Sequence, residues 1–364
     1  MRFSHYASFV LLACAGSGTA PVVSFAADTR PDAEVQVNLG VEVSNDADLP
    51  LTIVGNAVRA DLLVRGDEAA IDARVGKDRR QVGVQYERPV NYLVFNKVAG
   101  RLAYLDELLN PATSRRERYT AVAARVRGCG AWHLLSFCAG GGVRNVRYQL
   151  AQVADDALDG NSYATTVPFL VGSLGYESLT GALHLPLGFA STFDIEATPF
   201  SGEGRYAKAT VRHTHFLGLE AFPVRLKLRA EAARLSSGSR ATPLDQRFFG
   251  GGFDSVRGYA YKAISPFEAS GSLVGADARL IGSAELMAQV FELGEVPLVA
   301  SGFYDAGRWS SFGATATARS VTARSYGLAL SLPFKQGLVR LSVAKPLASG
   351  FEKQQFQIEV RASW

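Results

Sequence analysis

Val224-Arg225-Leu226-Lys227-Leu228-Arg229-Ala230-Glu231 alternates without a break between apolar and charged side chains. A two-residue period sends successive side chains to opposite faces of a strand, so Val224, Leu226, Leu228 and Ala230 share one face and Arg225, Lys227, Arg229 and Glu231 the other. Four neighbouring charges cannot form a protein core. That face looks either into bulk water or into the wet interior of a tube.

The same period recurs outward along the chain. From Ala33 to Ser44, Val35, Val37, Leu39, Val41 and Val43 alternate with Gln36, Asn38, Gly40, Glu42 and Ser44. At the other end Phe356, Ile358, Val360, Ala362 and Trp364 alternate with Gln355, Gln357, Glu359, Arg361 and Ser363, the aromatic-ended pattern of a terminal barrel strand. Further strands are expected near 53–65, 69–77, 80–88, 91–104, 117–128, 133–149, 165–177, 187–199, 206–218, 278–291, 297–309, 322–333 and 337–346. The total is about 16, an even number suited to a closed antiparallel barrel. A soluble sandwich or lipocalin-like barrel also alternates, with its charged faces outside. The number of strands, and a leader followed at once by strand pattern, favour an all-β transmembrane barrel. A competing reading makes residues 27 to about 115 a small α/β domain, because Val98, Leu102, Leu105 and Leu109 sit at helical spacing.

Composition supports a membrane barrel and excludes other classes. An Arg, Asp, Glu or Lys interrupts every apolar run after the leader before it reaches the roughly 18 residues of a spanning helix. A closed barrel is then the only way across a bilayer. The 38 basic residues are nearly balanced by 34 acidic ones and form no block, which argues against a nucleic-acid partner. Residues 1–26 read as a signal peptide, with Arg2, the apolar Ala7 to Ala15 and the small-x-small Ser24-Phe25-Ala26, leaving residues 27–364 as one barrel domain. Leu11-Leu12-Ala13-Cys14 resembles a lipoprotein box, but it lies very early and has an atypical Leu two before the Cys. Cys129 and Cys138 remain in an oxidising compartment, where the sequence leaves open a disulfide or two free thiols.

One connection breaks the economy of short turns. Between the strands near Leu235 and Ala278 lie roughly 40 residues, far more than a usual loop. They include Phe249-Gly250-Gly251-Gly252-Phe253-Asp254-Ser255-Val256-Arg257-Gly258-Tyr259. Aromatics would be wasted in water, and the glycines let backbone approach backbone, so the loop is expected to fold back into the tube. Arg257 then needs a carboxylate to replace its lost hydration. Glu285 and Asp305, on the polar faces of the next two strands, are the candidates.

Phe249 to Tyr259, the Phe303-Tyr304-Asp305-Ala306-Gly307 strand and the aromatic C-terminus resemble the outer-membrane superfamily of the assembly factors BamA and TamA and the two-partner secretion transporters TpsB. The resemblance is specific over about residues 165–364. It implies a 16-stranded barrel whose long extracellular loop is tucked into the lumen, with Arg257 paired to Glu285 and Asp305 and flanked by Phe249, Gly251, Gly252, Gly258 and Tyr259. It implies no cofactor and no catalysis. The expected function is insertion or secretion of client proteins at the bacterial outer membrane, with the loop as plug and latch. The expected partners are outer-membrane lipid, unfolded clients and a separate periplasmic delivery protein, because the sequence leaves no room for the POTRA domains such barrels usually carry. The rival expectation is a passive pore or surface antigen that keeps the fold alone.

Other motifs read blandly. His213 and His215 could hold a metal, but by parity they share the face of Ala207, Ala209 and Val211 and are expected at the membrane interface rather than in a zinc site. Gly140 to Gly142 suggests a bend or close strand packing. Asp155, Asp156 and Asp159 lack the terminal Glu of a calcium loop. No Gly-x-Ser-x-Gly nucleophile elbow is present. Arg225, Lys227, Arg229, Lys208 and Arg212 would make part of the lumen wall basic.

Overall fold

The computed structural model describes residues 25–27, 35–43, 51–76, 79–92, 94–110, 114–149, 163–182, 184–199, 205–218, 222–237, 243–267, 273–294, 296–312, 320–334 and 337–362. In chain order the strands are β1 (Phe25–Ala27), β2 (Val35–Val43), β3 (Leu51–Ala60), β4 (Glu68–Gly76), β5 (Arg79–Tyr92), β6 (Phe95–Asn110), β7 (Ser114–Trp132), β8 (Leu135–Gln149) and β9 (Tyr163–Glu177). They continue with β10 (Thr180–Ala182), β11 (Leu185–Ala197), β12 (Ala207–Leu217), β13 (Val224–Ser236), β14 (Ala278–Leu293), β15 (Val296–Ser310), β16 (Ser320–Phe334), β17 (Gly337–Pro346) and β18 (Phe356–Ala362). β1 and β10 have three residues each, which leaves 16 long strands. Each pairs antiparallel with its successor, β9 pairs with β11, and β18 neighbours β2, so the order runs round a ring.

The charges face inward, and that separates a membrane barrel from a soluble one. On β13 Arg225 and Glu231 are buried, whereas Val224 and Leu228 are exposed. On β14 Ile281 and Glu285 are buried while Leu280, Leu286 and Val290 face out. The buried apolar cluster lies inside the tube, where Phe248, Val256, Tyr259 and Ile264 of the long connection meet Leu235, Ile281, Trp309 and Ala323 of the wall. An inside-out distribution of this kind is stable only where lipid is the outer solvent. No described helix is long and apolar enough to cross a membrane, which says nothing against strands.

Two expectations are corrected. Val98 to Leu109 is not a helix: it lies within β6, paired residue for residue with β5 and β7. Its helical spacing is incidental, because Leu102 points to lipid while the buried Glu107 points inward. The strand expected at 91–104 is displaced, since the turn falls after Tyr92 and moves the next strand to Phe95–Asn110. The short β10 hairpin was not foreseen. It reaches toward β14, where His184 Nε2 lies 3.0 Å from Gln289 Oε1.

Cys129 and Cys138 are cross-strand partners on β7 and β8 and are disulfide-bonded. Gly140 and Gly142 sit where β8 closes on β7: a Cβ would meet Val126 O at 2.1 Å and Ala124 O at 2.2 Å respectively. His213 and His215 lie on the outward face with Phe189, each 5.7 Å from its ring, in the manner of an interfacial aromatic belt. Most of the expected leader, including Cys14, lies outside the described residues, as do Asp155, Asp156, Asp159 and Trp364.

Candidate functional site: a loop clamped across the lumen

The connection from β13 to β14 enters the tube because its sequence is built to be buried. Val256, Tyr259 and Ile264 are fully buried, and backbone pairing replaces water: Gly250 exchanges hydrogen bonds with Ile264, Phe248 with Ala276. Gly251 makes the fold-back, at φ +99°, with only 2.0 Å between a would-be Cβ and Ala260 O. Gly252 N donates to Tyr259 O at 2.9 Å and closes the tip. Phe249 packs beside Gly275, with its ring 5.5 Å from Lys262 Nζ.

Arg257 lies against β14 and β15. Its Nε donates to Asp305 Oδ2 at 2.7 Å, its Nη2 to Asp305 Oδ1 at 2.8 Å, and its backbone N–H to Asp305 Oδ2 at 3.1 Å. The Nη1 group reaches Glu285 Oε2 at 3.3 Å. The guanidinium stacks 3.4 Å from the ring centroid of Phe303. Burial works against its charge, but the hydrogen bond and charge of Asp305, then the charge of Glu285, outweigh it and hold its pKa above the ordinary value. Ser283 donates to Asp305 at 2.6 Å and Ser301 to Glu285 at 2.6 Å. Glu285 also pairs with Arg340 of β17. The structure thus brings Arg257, Glu285 and Asp305 together in a network the sequence reading had only as a trio. Arg340 was not singled out, although its place among Leu338, Val339 and Leu341 on an alternating strand was the available signal.

Next to the arginine, Gly258 at φ +91° lies against Ala344, where a Cβ would come within 2.9 Å of the neighbouring methyl. Tyr259 OH donates to Arg324 O at 2.9 Å and accepts from Ala348 N at 2.9 Å. Its carbonyl accepts from Gln357 Nε2 at 3.1 Å. Gln357 lies on β18 between Phe356, which is exposed, and Ile358, with Val360 two residues further along the strand. The last strand therefore presents its polar face to the loop.

A second foothold, absent from the sequence reading, lies on β6 and β7. Tyr261 OH donates to Glu107 Oε1 at 3.0 Å, Lys262 Nζ pairs with the same oxygen at 3.0 Å, and Tyr119 OH donates to Oε2 at 2.7 Å. Lys262 adopts φ +60°, a strained region for a residue with a Cβ. At its start the connection is held again, with Tyr148 donating to Asp245 and Arg144 Nε 3.6 Å from that carboxylate. Among the described residues there is no cluster of three or more metal-ligating side chains.

Residues 62–364 match the model of the Omp85 superfamily domain. Among solved structures the chain is similar to BamA from Haemophilus ducreyi lacking POTRA domains 1–3, with TM-score 0.76 and 16% identity over 97% of this chain and 74% of that one. It is also similar to CdiB from Escherichia coli, with TM-score 0.59 and 15% identity over 98% of this chain and 66% of that one. CdiB from Acinetobacter baumannii gives 0.56 and 13%, over 89% and 58%. The chain thus spans about three quarters of the first of these and under two thirds of the two CdiB chains. At these identities the structural likeness establishes the barrel fold, and the match over most of the sequence establishes that the chain belongs to the Omp85 superfamily.

Proposed function

We propose that this barrel inserts or exports client proteins at the bacterial outer membrane, reached through a signal peptide at residues 1–26, with the inward loop as both plug and latch. The observation that carries the reading is the clamp of Arg257 on Asp305 and Glu285, which ties the loop to two wall strands while Gln357 ties it to the last strand. A loop fixed to the wall through buried charges has two discrete states, docked and released, which is what a gate requires. Superfamily membership supports client handling, and the matched relatives are a BamA and two CdiB proteins. The partners on this reading are outer-membrane lipid, an unfolded client and a separate periplasmic delivery protein. No cofactor or catalytic step enters it. The loop held inside the tube weighs against the rival reading of a steadily open pore.

The test is a strain with Arg257→Ala or Asp305→Ala as the sole copy. The folded barrel should be weakened while its own export continues, and the outer-membrane and secreted proteomes should lose clients. Full transport by these variants would defeat the latch. Steady conductance of the unaltered barrel in planar bilayers without a client would favour the rival.

A further inference from the structure

Three cations sit on the outside of the wall. β14 joins β15, and β16 joins β17, through two residues each, whereas nine separate β15 from β16 and β17 from β18. In an outer-membrane barrel short turns mark the periplasmic end and long connections the extracellular end. Arg308 lies near the end of β15, Arg324 in the first third of β16 and Lys345 next to the end of β17, all toward the extracellular side. Each is exposed between buried neighbours: Arg308 between Gly307 and Trp309, Arg324 between Ala323 and Ser325, and Lys345 between Ala344 and Pro346. Successive residues point to opposite faces, so all three side chains face away from the lumen.

Strand register sets them side by side. Tyr304, Tyr326 and Lys345 form one row across β15, β16 and β17. Arg324 stands one outward position nearer the extracellular end, opposite Ala306, and Arg308 one further, opposite Thr322. Each cation is diagonal to the next, about 7–8 Å apart at the backbone and within reach of side chains this long. On the membrane side of the tyrosine row lie Gly302, Leu328 and Val343, with Leu328 71% exposed. Outward tyrosines mark the boundary between lipid chains and water, which places the three cations at the height of the headgroups.

The protein does not neutralise them. Arg308 donates through Nε to Ser320 Oγ at 2.8 Å, while Arg324 and Lys345 make no side-chain hydrogen bond or ion pair among the described residues. From the tyrosine row to the extracellular end, the outward positions of β14 to β17 hold no Asp or Glu. By contrast Arg234 of β13 has the ring of Phe312 at 5.3 Å, and the outward Arg118 of β7 has Asp106 at 3.0 Å. Like charges on neighbouring strands weaken pairing, so the cluster gains nothing until an anion joins it.

We infer that the outward face of β15 to β17 is a binding site for a phosphate-bearing lipid of the outer leaflet. Guanidinium groups match phosphate in charge and in the geometry of their donors. The apolar row beneath selects the source: a free phosphate would satisfy the cations alone, whereas the chains of a lipid continue down over Leu328 and Val343. Arg324 belongs to both sides of the wall, since its backbone carbonyl accepts from Tyr259 OH of the inward loop. The inference rests on the barrel fold and goes beyond client transport.

The probe is diphosphorylated lipid A, titrated against the full barrel in a neutral detergent and read by native mass spectrometry. Dephosphorylated lipid A and inorganic phosphate are the comparators. On the unaltered barrel the dephosphorylated lipid should bind at least about tenfold more weakly, a readout that needs no variant to fold. Arg308→Gln/Arg324→Gln/Lys345→Gln should lose a similar factor while keeping the heat-modifiable migration of the folded barrel. Arg147→Gln, which removes an outward cation at the extracellular end of β8, should leave the affinity nearly unchanged. Equal binding of the two lipids, unchanged affinity in the triple variant, or an equal loss in Arg147→Gln would overturn the inference. Displacement of the lipid by millimolar phosphate would overturn it in favour of a free-anion site. Because lipid binding is read on the purified barrel, its failure leaves the transport reading standing, and intact transport in Arg257 variants leaves the lipid site standing.

Discussion

The loop stands on two walls, and its footholds differ in kind. On β14 and β15 Arg257 is 7% exposed in its side chain, its partner Asp305 is 0%, and the pair is bidentate and stacked on Phe303. On β6 and β7 Lys262 is 14% exposed, and one oxygen of Glu107 serves both it and Tyr261. A buried bidentate pair fails all at once, because removing either member strands a charge in low dielectric. A single point charge that keeps some contact with water fails more gradually, since Glu107 still accepts from Tyr119 and Tyr261 when it is lost. The β14–β15 side is thus built as the fixed anchor and the β6–β7 side as the yielding one.

The largest expected effect comes from breaking the fixed anchor. Arg257→Ala should lower barrel stability by about 3–5 kcal/mol, read as the midpoint of heat-modifiable migration in gels. Asp305→Asn should approach it, because Arg257 then faces a neutral amide and keeps only the longer contacts to Glu285 at 3.3 Å and Ser283 at 3.4 Å. Glu285→Gln should cost less, since Arg257 retains both oxygens of Asp305. Equal losses for all three would remove the ranking. Gly251→Ala comes next, at about 2 kcal/mol, because a Cβ at φ +99° points into Ala260 O. Limited proteolysis of the loop should detect the opening, and an untouched cleavage pattern would contradict the tight fold-back.

Loosening the yielding anchor should matter less. Lys262→Ala or Tyr261→Phe is expected to cost about 1 kcal/mol, read by the same gel midpoint. A loss as large as that of Arg257→Ala would make the two footholds equivalent. The smallest effect belongs to a turn remote from both. Asp67 accepts hydrogen bonds from the N–H groups of Leu62, Leu63 and Val64 and from Tyr86 OH. Burial alone would raise its pKa, but these hydrogen bonds prevail and hold it below the usual carboxylate value. Its support for the turn is therefore complete above that value and fades as pH falls through the lowered one. Hydrogen exchange at Leu62 to Val64 should quicken only under strong acid in the unaltered chain, and at neutral pH in Asp67→Asn. Exchange that responds to neither change would leave Asp67 without this role.

Much of this was legible in the residues. The alternation of Val224 to Glu231 fixes a two-faced strand, and the charge of its polar face requires a wet lumen once lipid covers the other. The loop was legible because Phe248, Phe249 and Tyr259 in so long a connection need burial. What was misread was local. Val98, Leu102, Leu105 and Leu109 fit a helix and a strand alike, since short apolar patterns do not separate the two periods until partners choose. The turn after Tyr92 carries no Gly to mark it, so the strand boundary slipped.

Chain chemistry alone therefore determined that this protein is a cylinder of two-faced strands with a buried arginine seeking a carboxylate, because side-chain period and solvation are local properties. Tertiary structure decided the rest: that Glu285 is shared with Arg340 and that Glu107 receives the loop tip. Those outcomes depend on strand register and on the path of the loop across the lumen. Both are settled only when residues more than a hundred positions apart, such as Glu107 and Tyr261, come within a hydrogen bond of each other.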